Sequence, residues 1–271
     1  MKKIYLFLFG IVLLSNCEDP IDITLNNNPE ILVVEAYINL VKESQIVEQG
    51  VILSLSSGYF ESNYKAANNA KVSIEDEIGN IINFFEKERT GHYLAVDTLT
   101  YEVNKTYTLK IEYKGQNYIA KESLKSVSKI DRVEQESVDL FGNEAVQLQA
   151  YTVDPENERN YSFFEFTSDR FDIPEYNVYR DDFSNGGEYY GFLLDSDLKK
   201  GDIIRVRQYG LSNIAYNYWY LLIFQNTEQG GPFATPPVNL VGNILNKNNP
   251  QQNPLGYFRV SEVSEINYIV K

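Results

Sequence analysis

The side chains able to do chemistry are scarce. The chain of 271 residues holds one His, one Cys, one Met and one Trp, against 38 Asp and Glu. His92 follows Gly91 at a turn and precedes an apolar run, with no Cys or Ser motif around it. It reads as a packed or surface residue rather than a general base. Ser126-Val127-Ser128-Lys129 has the S-x-x-K spacing, in which a lysine one helical turn on deprotonates a serine nucleophile. It falls between expected strands, with no Ser-Asp-Asn or Lys-Thr-Gly partner, so the spacing is read as incidental. Asp195-Ser196-Asp197 and Asp154-Pro155-Glu156-Asn157-Glu158 offer oxygens to Ca²⁺. Neither keeps the EF-hand spacing with its central Gly, and solvated turns are the better reading. So many carboxylates guarantee that some pair lies at glycosidase spacing in any fold. A surface hydrolase is therefore the least favoured reading, and the expectation is no catalytic residue, no metal and no cofactor.

Cys17 is the exception. Lys2 and Lys3 open the chain, eleven uncharged residues from Ile4 to Leu14 follow, and the run ends at Leu14-Ser15-Asn16-Cys17. A membrane span needs about 20 apolar residues, but the run suits the core of a signal peptide. It resembles a bacterial lipobox, in which the Cys is diacylated and becomes the first mature residue, although Asn16 stands where Gly, Ala or Ser is usual. The expected start is thus a lipoprotein signal peptide over 1–16 and a lipidated tether over 17–30. Loss of Lys2 and Lys3 leaves 22 basic against 38 acidic side chains, a net −16. Such a body is repelled by anionic lipid and by nucleic acid, so the acyl chains must do the holding. Glu18 and Asp19 resemble the Bacteroidetes signal that exports lipoproteins to the outer face of the outer membrane. The expected location is therefore the outer membrane, lipid-anchored and facing the cell exterior. Asp97-Thr98-Leu99 resembles an O-glycosylation acceptor of the same bacteria, with Thr98 as the modified residue.

The elements that must position these residues are mostly strands. Short β-rich runs bounded by turns begin at Ile31 and recur at Gly50–Ser56, Ala70–Ile74, Ile81–Phe85, His92–Val96, Thr106–Tyr113 and Tyr118–Ala120. Seven such runs predict an immunoglobulin-like β-sandwich over 31–125. A second β-rich domain over 126–271 is expected from Ile130–Val133, Ala145–Val153, Tyr161–Phe166, Ile203–Tyr209 and a final strand, Gly256–Val260. Leu211–Asn226 fits either strand or helix. Helix is favoured, because Ile214, Tyr218, Leu221, Leu222 and Gln225 fall near helical spacing and Ser212 or Asn213 can cap it. Residues 168–190 carry Asp, Tyr, Asn and Gly with little apolar period and predict a long exposed excursion. Residues 230–237, rich in Gly and Pro, predict a loop. The fold class is mainly β, with one helix.

The order of landmarks resembles the lipoproteins of the domain-of-unknown-function 4249 family of Bacteroidetes. It runs from Cys17-Glu18-Asp19-Pro20-Ile21 through Leu32-Val33-Val34-Glu35-Ala36, Asn69-Ala70-Lys71-Val72 and Gly91-His92-Tyr93. The specific part is C-terminal: Tyr216-Asn217-Tyr218-Trp219, Gly231 to Pro237, Gly242-Asn243-Ile244 and Leu255-Gly256-Tyr257-Phe258. The resemblance implies an outer-membrane lipoprotein, often encoded beside a TonB-dependent receptor-like barrel, and no established activity. The expected function is a non-catalytic accessory subunit of such an outer-membrane β-barrel; the alternative is a stand-alone glycan- or protein-binding lipoprotein. Aromatic side chains give large contact area at low entropy cost. Tyr179, Phe183, Tyr189, Tyr190, Trp219 and Phe233 are therefore the candidate contact surface, with filling of the β core as the competing use of the same residues.

Overall fold

The computed structural model describes residues 30–58, 64–140, 142–156, 158–182, 186–227 and 240–271. The expected signal peptide, Cys17, Glu18, Asp19, Phe183 and Phe233 lie outside the described residues. The N-terminal half forms β1 (Leu32–Val41), β2 (Ile46–Leu55), β3 (Lys65–Ala66), β4 (Lys71–Glu75), β5 (Ile81–Lys87), β6 (His92–Ala95), β7 (Thr106–Tyr113) and β8 (Gln116–Ser123). After these come β9 (Ile130–Leu140), β10 (Asn143–Val153), β11 (Tyr161–Thr167), β12 (Glu175–Arg180), β13 (Glu188–Asp195) and β14 (Ile203–Gly210). Helix α1 (Asn213–Thr227), β15 (Ile244–Asn246) and β16 (Leu255–Ile269) complete the chain. The fold is mainly β, as expected. Every run marked in the first half is a strand; the alternation is cleanest in β7, which sends Tyr107, Leu109, Ile111 and Tyr113 inward and the residues between them outward.

One sheet runs in the order β12-β11-β14-β16-β1-β2-β6-β5-β4-β7-β8-β15, with β3 on β2. It curls back on itself: Lys125, just past β8, bridges Ser261 of β16. The curl encloses a first core in which Ile38, Leu53, Ile74 and Leu109 are fully buried, each contributing about 1.5–3 kcal/mol of burial. A second sheet, β13-β10-β9, packs on the β11–β14 end and encloses a second core around Leu148, Phe164, Phe166, Ile204 and Val206.

Strand β16 joins the two units. Its residues 255–263 pair in parallel with β1, and residues 263–269 pair antiparallel with β14. Ile244, Phe258 and Val260 therefore enter the first core. The division at residue 125 assigns β15 and the first half of β16 to the second unit, whereas these segments pair with and pack into the first. The final strand is also far longer than Gly256–Val260. Its second half hides in the sequence because Ser261, Glu262 and Ser264 look like turn residues, yet all three are buried. Each is satisfied across elements: Ser261 Oγ donates to Gly210 O (2.7 Å), Glu262 Oε2 accepts from Val127 N (3.0 Å), and Ser264 Oγ accepts from Ile130 N (2.9 Å).

Residues 168–190 correct a second expectation. They are not one exposed excursion, because they contain β12 and the start of β13. Tyr176 and Val178 face one way, against the aromatic cluster under α1. Tyr179 faces the other, against the second core. The alternation is real but half-buried on both faces, so it lacks the polar face that marks a strand.

Gly256 sits at φ +99° where β16 meets β1, and a Cβ there would stand 2.0 Å from Val34 O. Both the conformation and the space exclude a side chain. Gly256→Ala is expected to cost at least about 2 kcal/mol, read as a lowered urea midpoint with an unchanged slope.

Candidate binding site

Helix α1 covers one end of the large sheet. Ser212 caps it, its Oγ accepting from Ala215 N at 3.1 Å. The same hydroxyl donates to Glu122 Oε2 (3.1 Å), which also accepts from Tyr257 OH (2.6 Å). Burial raises the Glu122 pKa against the lowering effect of these bonds, and burial with the Glu122 charge raises that of Tyr257. The start of the helix is thus tied to β8 and β16 together.

Between α1 and the sheet lies a groove of about 600 Å³. Its floor is the outer face of β1 and β16, where the register sets Glu35 beside Tyr257 and Tyr37 beside Arg259. One wall is Phe163 and Glu165 of β11 with Tyr176 of β12, and the other is Tyr218, Trp219 and Leu222 of α1. Ring centroids of Phe163 and Trp219 are 4.8 Å apart, those of Phe163 and Tyr176 5.2 Å, and those of Tyr218 and Tyr257 4.9 Å. Arg259 lies among the rings, its guanidinium carbon 4.0 Å from the Tyr209 centroid and 5.8 Å from those of Phe163 and Trp219. It donates to Asn39 Oδ1 (3.2 Å) but has no ion pair among the described residues, and its Nε is buried without a partner, as is Trp219 Nε1. Tyr209 OH donates to Glu165 Oε2. Glu35 is exposed and makes no hydrogen bond or ion pair among the described residues.

Beyond Arg259 the same face carries an ion network. Arg207 of β14 donates to both carboxylate oxygens of Glu48 on β2 (2.7 and 2.5 Å) and to Glu265 of β16 (2.6 Å). Burial alone would raise the Glu48 pKa, but the Arg207 bonds and charge, with Asn39 and Arg259, hold it below the usual carboxylate range. This network closes the end of the face that α1 does not reach.

The four candidate contact residues that are described do not form one surface. Among them Trp219 alone lines the groove. Tyr189 is 7% exposed and belongs to the second core, its OH between Ser162 Oγ (2.9 Å) and Gln208 Nε2 (2.7 Å). Tyr179 stacks on it at 3.6 Å, and burial with neighbouring carboxylates pushes its pKa up to about 12. Both are structural because β12 and β13 are strands over a core. Tyr190, 43% exposed, points the other way and packs on Tyr151. Thr98 is exposed beyond β6, its Oγ1 donating to Leu99 O (3.2 Å). Modification there is expected to appear in the intact mass of the purified protein as an excess over polypeptide plus lipid, removed by Thr98→Ala.

The sequence reading missed Arg259, Glu35, Phe163 and Tyr257, which are ordinary strand residues in any one-dimensional pattern. It also read Asp154 as a solvated turn. Asp154 is buried beside Asp181, with Oδ2 unpartnered; burial, then the Asp181 charge, raise its pKa to about 6. Neither acid lines the groove. A raised carboxylate pKa favours the protonated form in the fold, so that stability is full below about pH 4 and lost as pH rises through about 6. The midpoint advantage of Asp154→Asn over the natural protein is therefore expected to be small at pH 4, to grow up to about 6, and to level off above it, in thermal melts across that range.

No curated protein matches the chain. Among solved structures, a two fibronectin type-III domain segment from chicken tenascin is similar at 12% identity, covering 68% of this chain and 93% of its own, with a TM-score of 0.22. The chicken interferon gamma receptor alpha chain is similar at 10% identity over 68% of this chain and 89% of its own, with a TM-score of 0.19. The fold class rests on the sheets themselves rather than on these likenesses. The sequence profile described as "Domain of unknown function (DUF4249)" matches residues 18–267.

Proposed function

We propose, from the premise that the chain belongs to the domain-of-unknown-function 4249 family, that it is a non-catalytic accessory lipoprotein of an outer-membrane β-barrel of the TonB-dependent receptor-like kind. It would be held by diacylated Cys17 and carried to the cell surface by Glu18 and Asp19. The observation that supports this reading is the outer side of α1. Fifteen residues from Asn213 to Thr227 contain no charged side chain, in a chain of net charge −14. Only Ala215 and Tyr216 are buried, while Ile214 (65%), Tyr220 (45%) and Leu221 (37%) are exposed. Tyr216, Tyr220 and Phe224 stack in succession along the helix at 5.9 and 6.0 Å. Exposed apolar side chains on an uncharged helix mark a candidate interaction site. Helices that lie on lipid surfaces carry Lys and Arg on their polar face; α1 has none, which favours a protein partner.

The second reading, a stand-alone glycan- or protein-binding lipoprotein, is favoured by the aromatic groove on the inner side of the same helix. A pull-down from the native outer membrane in mild detergent separates the two. The accessory reading expects a stoichiometric barrel partner, lost in Cys17→Ala and reduced at least about tenfold by Tyr220→Lys with Leu221→Lys, with the thermal midpoint of the double variant unchanged. Recovery of the natural protein alone would favour the second reading.

A further inference from the structure

We infer that the groove between α1 and the β1–β16 face is a binding site for neutral sugar rings, an inference that rests on the chain being a binding protein rather than an enzyme. The lining combines three features. Half-buried aromatic rings of Tyr176, Tyr218 and Trp219 stand on the two walls, backed by the buried rings of Phe163 and Tyr257, and exposed ring surface of this kind stacks against the C–H faces of pyranose rings. Arg259 supplies guanidinium donors with no carboxylate partner among the described residues. Glu35 and Glu165 supply acceptors in the same groove. A hydroxyl both donates and accepts, so a ligand bearing many hydroxyls satisfies both kinds of group at once.

Other ligand classes fit less well. An extended peptide gains affinity by adding a strand to a free sheet edge. Here β1 pairs with β2 and β16, and β11 pairs with β12 and β14, so the floor and β11 offer no edge, and the free edge of β12 is on its side away from β11. An anionic ligand would meet two carboxylates against one guanidinium, inside the field of a body of net charge −14. A cationic ligand seeking the ring faces would meet Arg259, which already lies over Tyr209 and near Phe163 and Trp219. The volume of about 600 Å³ is within the range of small-ligand pockets, about 300–1,000 Å³, and has room for a short oligosaccharide.

The molecule carries its own probe, because Trp219 is its single tryptophan and sits in the wall. The test titrates the full-length lipidated protein in detergent with a panel of neutral gluco-, xylo- and chito-oligosaccharides, an acidic uronic oligosaccharide and a Lys-rich peptide. Binding is read by tryptophan emission and by calorimetry. The expected result is a saturable change with at least one neutral oligosaccharide, weakened about tenfold by Glu35→Gln and further by Trp219→Ala. Glu35 is exposed and unbonded, so its variant keeps the fold even where Trp219→Ala does not. No saturable response to any neutral sugar, a response unchanged in Glu35→Gln, or tighter binding of the uronic or Lys-rich probe would overturn the inference. The barrel pull-down is independent of these outcomes: a natural protein that binds its barrel but no neutral sugar sinks the groove assignment alone.

Discussion

Everything else in this protein depends on the double pairing of β16. A strand of fifteen residues lies parallel to β1 through its first nine positions and antiparallel to β14 through its last seven, sharing Val263. The first pairing brings Phe258 and Val260 into the core of the curled sheet, and the second brings Ile266 and Tyr268 against the other core. The two units are thus one continuous hydrogen-bonded ladder rather than two beads on a linker. The strand must be buried on both faces where the units meet, and its polar residues are tolerated there because each is hydrogen-bonded to another element.

The groove is a by-product of the same constraint. Both cores take the same face of the sheet: Phe258 and Val260 of β16 face the first, and Ile266 and Tyr268, at the same alternation, face the second. The outer face of β1 and the start of β16 is left without a covering sheet, and α1 lies over part of it. The helix is fixed by Ser212, Glu122 and Tyr257, three residues drawn from different segments of the chain. On the other side, Arg207 with Glu48 and Glu265 ties β14 to β2 and β16. A groove whose covering helix and whose sheet face are each held by charge-assisted bonds is a rigid one, which is what a preorganised binding surface needs.

The abundance of tyrosine has a structural component that composition does not separate from a functional one. Tyr93 OH donates to Ala67 O (2.8 Å) and accepts from Ala70 N (3.0 Å), and Tyr107 OH accepts from Glu102 N (2.9 Å). Tyr189, Tyr209 and Tyr257 likewise bury the ring and pair the hydroxyl. These rings fill the cores, while their hydroxyls satisfy loops and neighbouring strands. Among the aromatics left over are those on the outer side of α1 and the half-buried rings of the groove, which are available for contact.

The sequence by itself determined the β class, the marked strands of the first half and the helix, with its cap narrowed to Ser212 or Asn213. Each of these rests on local patterns: alternation in strands exposed on one face, and a side chain that bonds three residues on. Of the aromatics it marked for contact, Trp219 is found in the groove wall. Tertiary structure alone decided that Tyr179 and Tyr189 are core, that β12 and the second half of β16 are strands, and that Arg259, Glu35 and Phe163 meet. The physical reason is the same in each case. A strand half-buried or buried on both faces loses the polar alternation that announces it, and a groove built across β1, β11, β12, β16 and α1 exists only once strand pairing has brought residues more than 200 positions apart into register.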